Sequence, residues 1–195
     1  MDEHVLDDHR TRCSWSAGDG AMRDYHDTEW GVPLHDDRAL FEFICLEGAQ
    51  AGLSWRTVLS KRAAYRSAFA NFDIEACAKL TDGCIEKLLT DPGLIRNRLK
   101  VTSVRGNARA VLLAIDELGS LDSLLWSFVD GSTIQNCWLD RSQVPATTSI
   151  SDRMSKELRR RGFRFVGSTI CYAFMQATGM VNDHIVDCFR HPALA

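Results

Sequence analysis

The chain has 195 residues, of which 45% are hydrophobic and 25% are charged, and its formal net charge is −3 at pH 7. This length and composition predict one globular domain, or two closely packed lobes, with a substantial core. The small negative charge excludes a protein that binds nucleic acid through its overall charge, so any DNA-binding face must be a local patch.

The N-terminal residues and the cysteines indicate where the protein works. Residues 1–11 are polar, and no apolar run follows the acidic start, so we expect no signal peptide. No segment approaches the roughly 20 apolar residues of a membrane span. The seven cysteines show no disulfide-like spacing, which favours free thiols or metal ligands. We therefore expect a soluble, cytoplasmic protein that is a monomer, since nothing marks an interface.

Periodic apolar positions predict a chain built from helices. Residues 12–35 differ, because they hold few such positions but three aromatic residues, and so must lie over another part of the chain. The helices that we expect after them cover about 36–50, 53–69, 73–80, 82–89, 97–118, 121–129, 149–161, 168–178 and 182–188. Their expected caps are Asp36 or Asp37, Asp73, Asp82, Ser120, a capping box at 149–152, and Asn182 or Asp183. Residues 130–148 are predicted to form a loop, and 163–166 are a short segment that could be extended. With no alternating strand pattern and no repeat, the predicted fold class is all-α.

Residues 46–55 form the first candidate site. Three apolar residues at helical spacing precede Glu47 on one face of the predicted helix, and that face ends at the carboxylate. Burying an unpaired carboxylate is costly, so Glu47 needs a partner or a task. Two glycines allow a close approach of the backbone, and Trp55 supplies a stacking surface. This pattern predicts the floor of a pocket. The alternative is Glu47 paired with an arginine and Trp55 packed in the core.

The turn at residues 90–93 forms the second candidate site. It contains Gly93 and joins two predicted helices as an αα-hairpin, in which the first N–H groups of the second helix point outward and favour an anion. The cations that follow it are Arg96, Arg98, Lys100, Arg105 and Arg109. This arrangement is typical of a helix-hairpin-helix unit, which holds a DNA phosphate without reading sequence. The alternative is an ordinary helix connection with solvated arginines.

Cysteines and histidines near the two ends of the chain form the third candidate site. His184 and Cys188 are four apart on a predicted helix and so share a face, while Cys13 and His26 lie near the N-terminus. Together they make a Cys2His2 set, as in a closed structural zinc site. The spacing matches no standard zinc finger, and the competing histidines are His4, His9, His35 and His191. The alternative is a capping or core histidine and a buried thiol.

Four blocks of sequence, in this order, resemble the 3-methyladenine DNA glycosylase I family of the helix-hairpin-helix superfamily. They are residues 25–33, 45–55, 161–167 and 181–184, and the similarity extends from about Arg12 to Cys188. The resemblance implies a helix-hairpin-helix lobe, about residues 36–129, packed against a zinc-bearing lobe made from residues 12–35 and 149–190. It also implies a bacterial base excision repair enzyme that flips 3-methyladenine out of double-stranded alkylated DNA and hydrolyses the glycosidic bond.

The resemblance implies a role for each matching residue. The implied ligands of one structural zinc ion are Cys13, His26, His184 and Cys188. The implied contacts of the damaged base are the catalytic carboxylate Glu47 and the aromatic walls Tyr25, Trp55, Trp30 and Trp15. The expected DNA contacts are Gly52 and Leu53, at a turn that enters the base stack, and Gly93, Arg96 and Arg98 at the hairpin.

The chemistry of 3-methyladenine agrees with these roles. The damaged nucleotide is cationic, so an electron-rich aromatic box favours it by about 0.5–2 kcal/mol per cation–π contact, and the Glu47 carboxylate adds charge complementarity. The base leaves neutral and needs little acid catalysis. Asp116 is expected to be solvated, and Lys100 belongs to the cationic strip, which leaves no lysine for Schiff-base chemistry. We therefore predict excision without strand cleavage.

Two other functions stay open on the sequence alone. A non-catalytic, zinc-stabilised helical module that binds damaged DNA would keep the hairpin and the metal, but it would not need an acidic aromatic pocket. A helical metalloenzyme of small-molecule metabolism would need an open metal position, which four protein ligands do not leave.

Overall fold

The computed structural model describes residues 9–17 and 20–194, and its regular structure is mostly helical, as predicted. The helices are α1 (Gly20–Thr28), α2 (Asp37–Gln50), α3 (Trp55–Ala68), α4 (Ile74–Ala78), α5 (Asp82–Leu88), α6 (Arg98–Leu118), α7 (Leu121–Trp126), α8 (Ser149–Arg160), α9 (Ser168–Ala177) and α10 (Arg190–Ala193). Short 3₁₀ turns lie at Ser14–Ser16, Ala70–Phe72, Ser127–Val129 and Arg141–Gln143. Among these residues, no helix is long and apolar enough to cross a bilayer. The predictions for the N-terminal residues and for His4 lie outside the described part.

Side-chain caps fix most helix starts close to where they were predicted. Asp36 and Asp73 each accept a hydrogen bond of 2.8 Å from the backbone N–H three residues later, which satisfies an otherwise unpaired donor of the first turn. Two predicted caps are wrong by one residue. Thr81, not Asp82, caps α5, and the capping box of α8 begins at Thr148 instead of Ser149.

Three local features differ from the predictions. Helix α1 was not predicted, because it lies in the segment with few periodic apolar positions. The predicted helix at 182–188 is wrong. Instead, a strand of two residues, β2 (Val181–Asn182), pairs in parallel with β1 (Ile134–Gln135) inside the predicted 130–148 loop, and turns follow it. Residues 163–166 form bends. Strands this short show no alternating pattern by which they could be recognised.

Helix α2 lies at the centre of the fold. All ten of its residues from Leu40 to Ala49 are buried, and it packs against α3, α6, α7 and α9. A helix that is covered on all sides carries its polar residues into the interior. The position of α2 is therefore the reason that Glu47 lies inside the protein instead of on its surface.

Asp183 joins the short β pairing to α9. Its Oδ1 accepts hydrogen bonds from Asn136 Nδ2 at 2.7 Å and Trp138 Nε1 at 2.8 Å. Its Oδ2 accepts from the Tyr172 hydroxyl at 2.7 Å and from Gln176 Nε2 at 2.8 Å. Burial, together with Asp183, raises the pKa of Tyr172, so its hydroxyl remains a donor. One buried carboxylate thus satisfies four donors from two segments.

Replacing Asp183 with alanine should lower the free energy of unfolding by about 3 kcal/mol, because four donors, of which Tyr172 is buried and the others are partly buried, lose their acceptor at once. Urea denaturation monitored by circular dichroism measures the change. Asp116→Ala is the control, since Asp116 is exposed on α6, and it should change the free energy by less than about 0.5 kcal/mol. Equal effects of the two substitutions would contradict the role given to Asp183.

Candidate active site and metal cluster

A cavity of about 460 Å³ opens beside the C-terminal half of α2. All five residues expected to contact a base line it, namely Glu47, Tyr25, Trp55, Trp30 and Trp15. The other lining residues are Met22, Gln50, Ser54, Arg56, Arg141 and Ala173. Helix α1 supplies one wall, the junction of α2 and α3 supplies the floor, and the loop at Arg141 lies at the edge. We call this space the aromatic cavity.

The rings around the aromatic cavity touch one another in series. The Tyr25 and Trp55 rings lie 5.3 Å apart between centroids, and Phe43 stacks behind Trp55 at 6.4 Å. On the other side, Trp15 meets Trp30 edge to face at 5.0 Å. Such contacts fix each ring by its neighbours. The cavity therefore has an electron-rich wall of rings packed on one another, of which Trp15, Tyr25 and Trp30 come from the N-terminal segment, and Phe43 and Trp55 from α2 and α3.

Glu47 is buried in this cavity without a cation. It is 4% exposed, and no hydrogen bond or ion pair joins it to another of the described residues. Burial raises the pKa of its carboxyl group to about 8, since the charged form loses its solvation. The proposed alternative, an arginine partner, applies to a different residue. Glu42 on the same helix pairs with Arg62 at 2.5 Å and with Arg66 at 2.9 Å.

The four predicted metal ligands come together in a buried Cys–His cluster. The ligand atoms of Cys13, His26, His184 and Cys188 all lie within 4.8 Å of one another. Cys188 Sγ is 3.4 Å from both His26 Nε2 and His184 Nδ1, and Cys13 Sγ is 3.6 Å from His184 Nδ1. Separations of this size suit ligands about 2.0–2.3 Å from a shared tetrahedral ion. The cluster could therefore hold a metal.

The outer nitrogens of the two histidines support this reading. His184 Nε2 lies 3.2 Å from the Trp30 carbonyl oxygen, which can only accept, so Nε2 carries the proton and Nδ1 offers a lone pair to the cluster. His26 Nδ1 lies 2.7 Å from Asp27, which Arg12 holds at 2.7 Å. Carboxylate and carbonyl partners of this kind are typical of metal-bound histidines.

One thiol of the cluster, that of Cys188, is set to lose its proton. The hydrogen bond between Cys13 and Cys188 raises the pKa of Cys13 and lowers that of Cys188. Metal ions bind the thiolate form. The competing histidines lie elsewhere: His35 contacts Asp122 at 2.8 Å, His191 contacts the Asn136 carbonyl at 2.8 Å, and His9 is exposed.

A tight turn follows α2 and carries Leu53 at its tip. The Leu53 N–H donates to the Gln50 carbonyl at 2.6 Å, and Gln50 Nε2 donates to the Leu53 carbonyl at 3.0 Å. Gly52 adopts a φ of +77°, which other residues rarely adopt. The Leu53 side chain is 41% exposed. An apolar side chain is thus presented to solvent just after the helix that carries Glu47. We call residues 51–53 the α2 turn.

The hairpin between α5 and α6 is packed against α3. A Cβ atom at Gly93 would lie 2.7 Å from Ala64 Cβ, so only glycine allows this approach. The Gly93 N–H is used inside the turn, where it donates to Asp91 at 2.7 Å, and Lys61 holds the Pro92 carbonyl at 2.7 Å. The hairpin is therefore a rigid connection whose outward face begins after Gly93.

The predicted strip of five cations is shorter in the structure. Arg96 is exposed just before α6, and Arg98 pairs with Glu86 at the surface. Arg105 and Arg109 turn inward instead and donate to the Leu80 and Ala78 carbonyls, both at 3.0 Å. Lys100 also turns inward, to the end of α2. These three cations satisfy the unpaired carbonyls of helix ends, so a phosphate could meet only the first two.

Sequence reasoning did not identify several residues at the edge of the aromatic cavity. Arg141 and Ala173 come from a loop and from α9, far along the chain from Glu47. Arg141 lies outside the predicted helices, where side chains carry no periodic signal. Ala173 lies on a predicted helix, but the helical pattern does not show that it meets the cavity. Gln50 and Ser54 belong to the block of residues 45–55, but their hydrogen bonds, in the turn after α2 and at the start of α3, appear only in the structure.

Comparisons with known proteins agree with this site. The sequence profile of the methyladenine glycosylase family matches residues 15–191. The chain is 48% identical over 181 residues to DNA-3-methyladenine glycosylase 1 of Escherichia coli (strain K12), covering 93% of this chain and 97% of that protein. A crystal structure of a 3-methyladenine DNA glycosylase I is 50% identical and covers 93% of this chain and 100% of its own, with a TM-score of 0.90. A structure of the Staphylococcus aureus enzyme, which addresses 3-methyladenine recognition, is 34% identical and covers 93% of this chain and 96% of its own, with a TM-score of 0.90.

Replacing Glu47 with glutamine should stabilise the protein increasingly as the pH rises. The folded-state pKa of Glu47, about 8, lies above the ordinary value of 4.5 for a glutamate. At a pH between these two values, the folded protein therefore holds a proton that the unfolded chain has released. The wild type then loses up to about 1.4 kcal/mol of stability per pH unit, whereas the variant does not. Urea denaturation at pH 5.5, 6.5 and 7.5 measures the difference.

Glu75→Gln, at an exposed pair on α4, is the control and should follow the wild type. A constant difference between Glu47→Gln and the wild type over this range would mean that Glu47 is already ionised in the folded protein.

Proposed function

Because the chain belongs to the methyladenine glycosylase family, we infer that it is a DNA glycosylase that excises 3-methyladenine from alkylated DNA in base excision repair. The observation that carries this inference is Glu47, a buried acid without a cation, inside an aromatic cavity. The buried carboxyl group has no positively charged partner, and a cationic base supplies one. The residue roles below extend the inference.

We propose that the aromatic cavity receives the flipped base. The rings of Tyr25, Trp55, Trp30 and Trp15 offer cation–π attraction, which neutral adenine does not gain. When the cationic base enters, its charge favours the ionised form of Glu47, so the carboxylate accepts hydrogen bonds from the base while gaining an ion partner. Selectivity then comes from charge, since the same buried carboxyl group would have to stay protonated beside a neutral base.

We propose that the α2 turn fills the gap that the flipped base leaves. Extrusion of a nucleotide costs a few kcal/mol of stacking and pairing. Leu53 is apolar and exposed just after α2, so its insertion between base pairs would offset part of that cost. Gly52 supplies the turn that presents it. The acid and the wedge are six residues apart on one continuous segment, so both arrive together.

We propose that the hairpin holds the DNA backbone as a helix-hairpin-helix unit. Arg96 and Arg98 are exposed just after the hairpin, and phosphate contacts from such side chains position a duplex without reading its sequence. Arg98 would exchange its surface carboxylate partner for a phosphate. We further propose that the substrate is double-stranded DNA and that the protein acts as a cytoplasmic monomer.

We propose that excision proceeds by hydrolysis without strand cleavage. The damaged base is positively charged before it leaves, so it departs neutral and the chain needs only to hold it in the reactive geometry. Lys100 does not reach the cavity, because two backbone carbonyls hold its amine. Asp116 is exposed on α6. Neither residue is placed to attack or to steady the sugar.

We propose that the Cys–His cluster holds one structural zinc ion. Two thiols and two correctly oriented imidazoles form a closed set of four ligands, which leaves no position for a reacting water. When bound, the ion would supply cross-linking of the two ends of the chain instead of reaction chemistry. It would hold the segment between Cys13 and His26, which carries Trp15 and Tyr25 into the cavity wall.

The test of the reaction is incubation of the purified protein with methylated duplex DNA, followed by chromatography of the released bases. We expect release of 3-methyladenine, with 7-methylguanine left in place and no borohydride-trapped adduct. Glu47→Gln should reduce the rate roughly 100-fold, because glutamine cannot supply the negative charge that the cationic base meets, while Glu75→Gln should match the wild type. DNA binding by the wild type without any base release would instead favour a non-catalytic module.

Metal analysis of the purified protein should find about one zinc ion per chain. Cys188→Ser should lower this content and the melting temperature, because the closed ligand set is broken. Cys84→Ser removes an exposed thiol outside the cluster and is the matched control, so it should retain the metal. Wild-type protein that is folded and active with no bound metal would overturn the zinc assignment.

A further inference from the structure

Lys100 joins the two parts of the protein that are expected to meet DNA. It lies in the first turn of α6, directly after the hairpin. Its Nζ donates to the Ala49 carbonyl at 2.8 Å and to the Ala51 carbonyl at 2.6 Å. These carbonyls lie at the end of α2 and at the start of the α2 turn. One side chain therefore bridges the hairpin helix and the backbone between Glu47 and Leu53.

This arrangement is costly for a lysine and needs a compensating role. Partial burial lowers the pKa of Lys100, and the partners that its amine contacts are neutral carbonyls. The C-terminal end of a helix attracts a cation through its dipole, which offsets part of the cost. A surface lysine would avoid that cost entirely. The position of the amine is thus better explained by what it holds than by its own stability.

What Lys100 holds is the beginning of the α2 turn. Gln50, the last residue of α2, and Leu53, the last residue of the turn, are linked by two hydrogen bonds of 2.6 and 3.0 Å. Those bonds set the shape of the turn but do not attach it to α6. The bonds from Lys100 to the carbonyls of residues 49 and 51 provide that attachment. Without them, the turn would keep its shape but could move as a unit relative to the hairpin.

We propose that Lys100 is a positioning residue that fixes the α2 turn in register with the hairpin. It keeps Leu53 at a set distance from the phosphate-facing surface, so that gripping the backbone and filling the base stack occur at the same nucleotide. The proposal rests on the proposed glycosylase function. It differs from a general structural role because Lys100 does not line the aromatic cavity, which is formed by α1 and α3 as well as α2.

The chain offers a matched control for this bridge. Arg109 lies on the same helix and donates from Nε to the Ala78 carbonyl at 3.0 Å, near the C-terminal end of α4. It therefore makes the same kind of contact between a cation and a helix end, but far from Glu47 and the α2 turn in the fold. A loss of stability common to Lys100→Met and Arg109→Met would reflect helix capping alone.

The experiment compares wild type, Lys100→Met, Lys100→Arg and Arg109→Met in three measurements. These are the melting temperature, the affinity for free 3-methyladenine from tryptophan fluorescence, and the single-turnover rate of excision from methylated duplex DNA. For Lys100→Met we expect a rate lowered roughly 10-fold to 100-fold, as for a misplaced reacting group, with free-base affinity within about twofold of wild type. Lys100→Arg, which keeps a donor cation, should recover most of the rate.

Three outcomes would overturn the proposal. The first is a Lys100→Met rate equal to that of Arg109→Met. The second is a loss of free-base affinity as large as the loss of rate, which would show that Lys100 supports the whole cavity. The third is a Lys100→Arg rate as low as that of Lys100→Met while both variants melt as the wild type does. A wild type that releases no 3-methyladenine would instead overturn the proposed function, so the two failures are distinguishable.

Discussion

The burial of one unpaired carboxylate organises this molecule. Glu47 is carried inside because α2 is covered on all sides, and its charge is opposed by the same desolvation that raises its pKa to about 8. The aromatic rings around it supply hydrogen-bond donors, namely the Tyr25 hydroxyl and the tryptophan indole N–H groups, but no cation. A site built in this way is destabilising until a cation enters. The desolvation of Glu47 that would favour a charged base therefore also lowers the stability of the free protein.

Nearby charges show how selectively this balance is kept. Glu42 lies one and a half turns before Glu47 on α2, yet it is paired with two arginines from α3. Those arginines could have neutralised either acid, and the fold gives them to the residue outside the cavity. On α6, Lys100, Arg105 and Arg109 likewise donate hydrogen bonds to backbone carbonyls at or just after the ends of other helices. Within the part of the chain that the structure describes, Glu47 in the cavity and Arg96 at the hairpin thus keep ionisable groups without a protein partner of opposite charge.

Much of the fold follows from the sequence because its signals are local. Helical periodicity located α2 and Glu47, and short polar side chains located several caps to the residue. The failures arise where a long-range contact decides. Val181 and Asn182 pair with Ile134 and Gln135, and turns instead of the predicted helix follow, although His184 and Cys188 still converge with the other two ligands. Lys100 looked like a phosphate contact because its real partners, two carbonyls about fifty residues earlier, leave no trace in sequence patterns. Arg141 and Ala173 reach the cavity from distant segments for the same reason.

The Cys–His cluster also has a consequence for the order in which the protein can be made. Its ligands come from residues 13 and 26 at one end and 184 and 188 at the other, so the cluster closes a loop of almost the whole chain. During synthesis, His184 and Cys188 therefore leave the ribosome long after Cys13 and His26. Until then, the cluster cannot hold the segment with Trp15 and Tyr25 in the cavity wall. A chain truncated before residue 184 would thus carry the hairpin but would lack the complete Cys–His cluster.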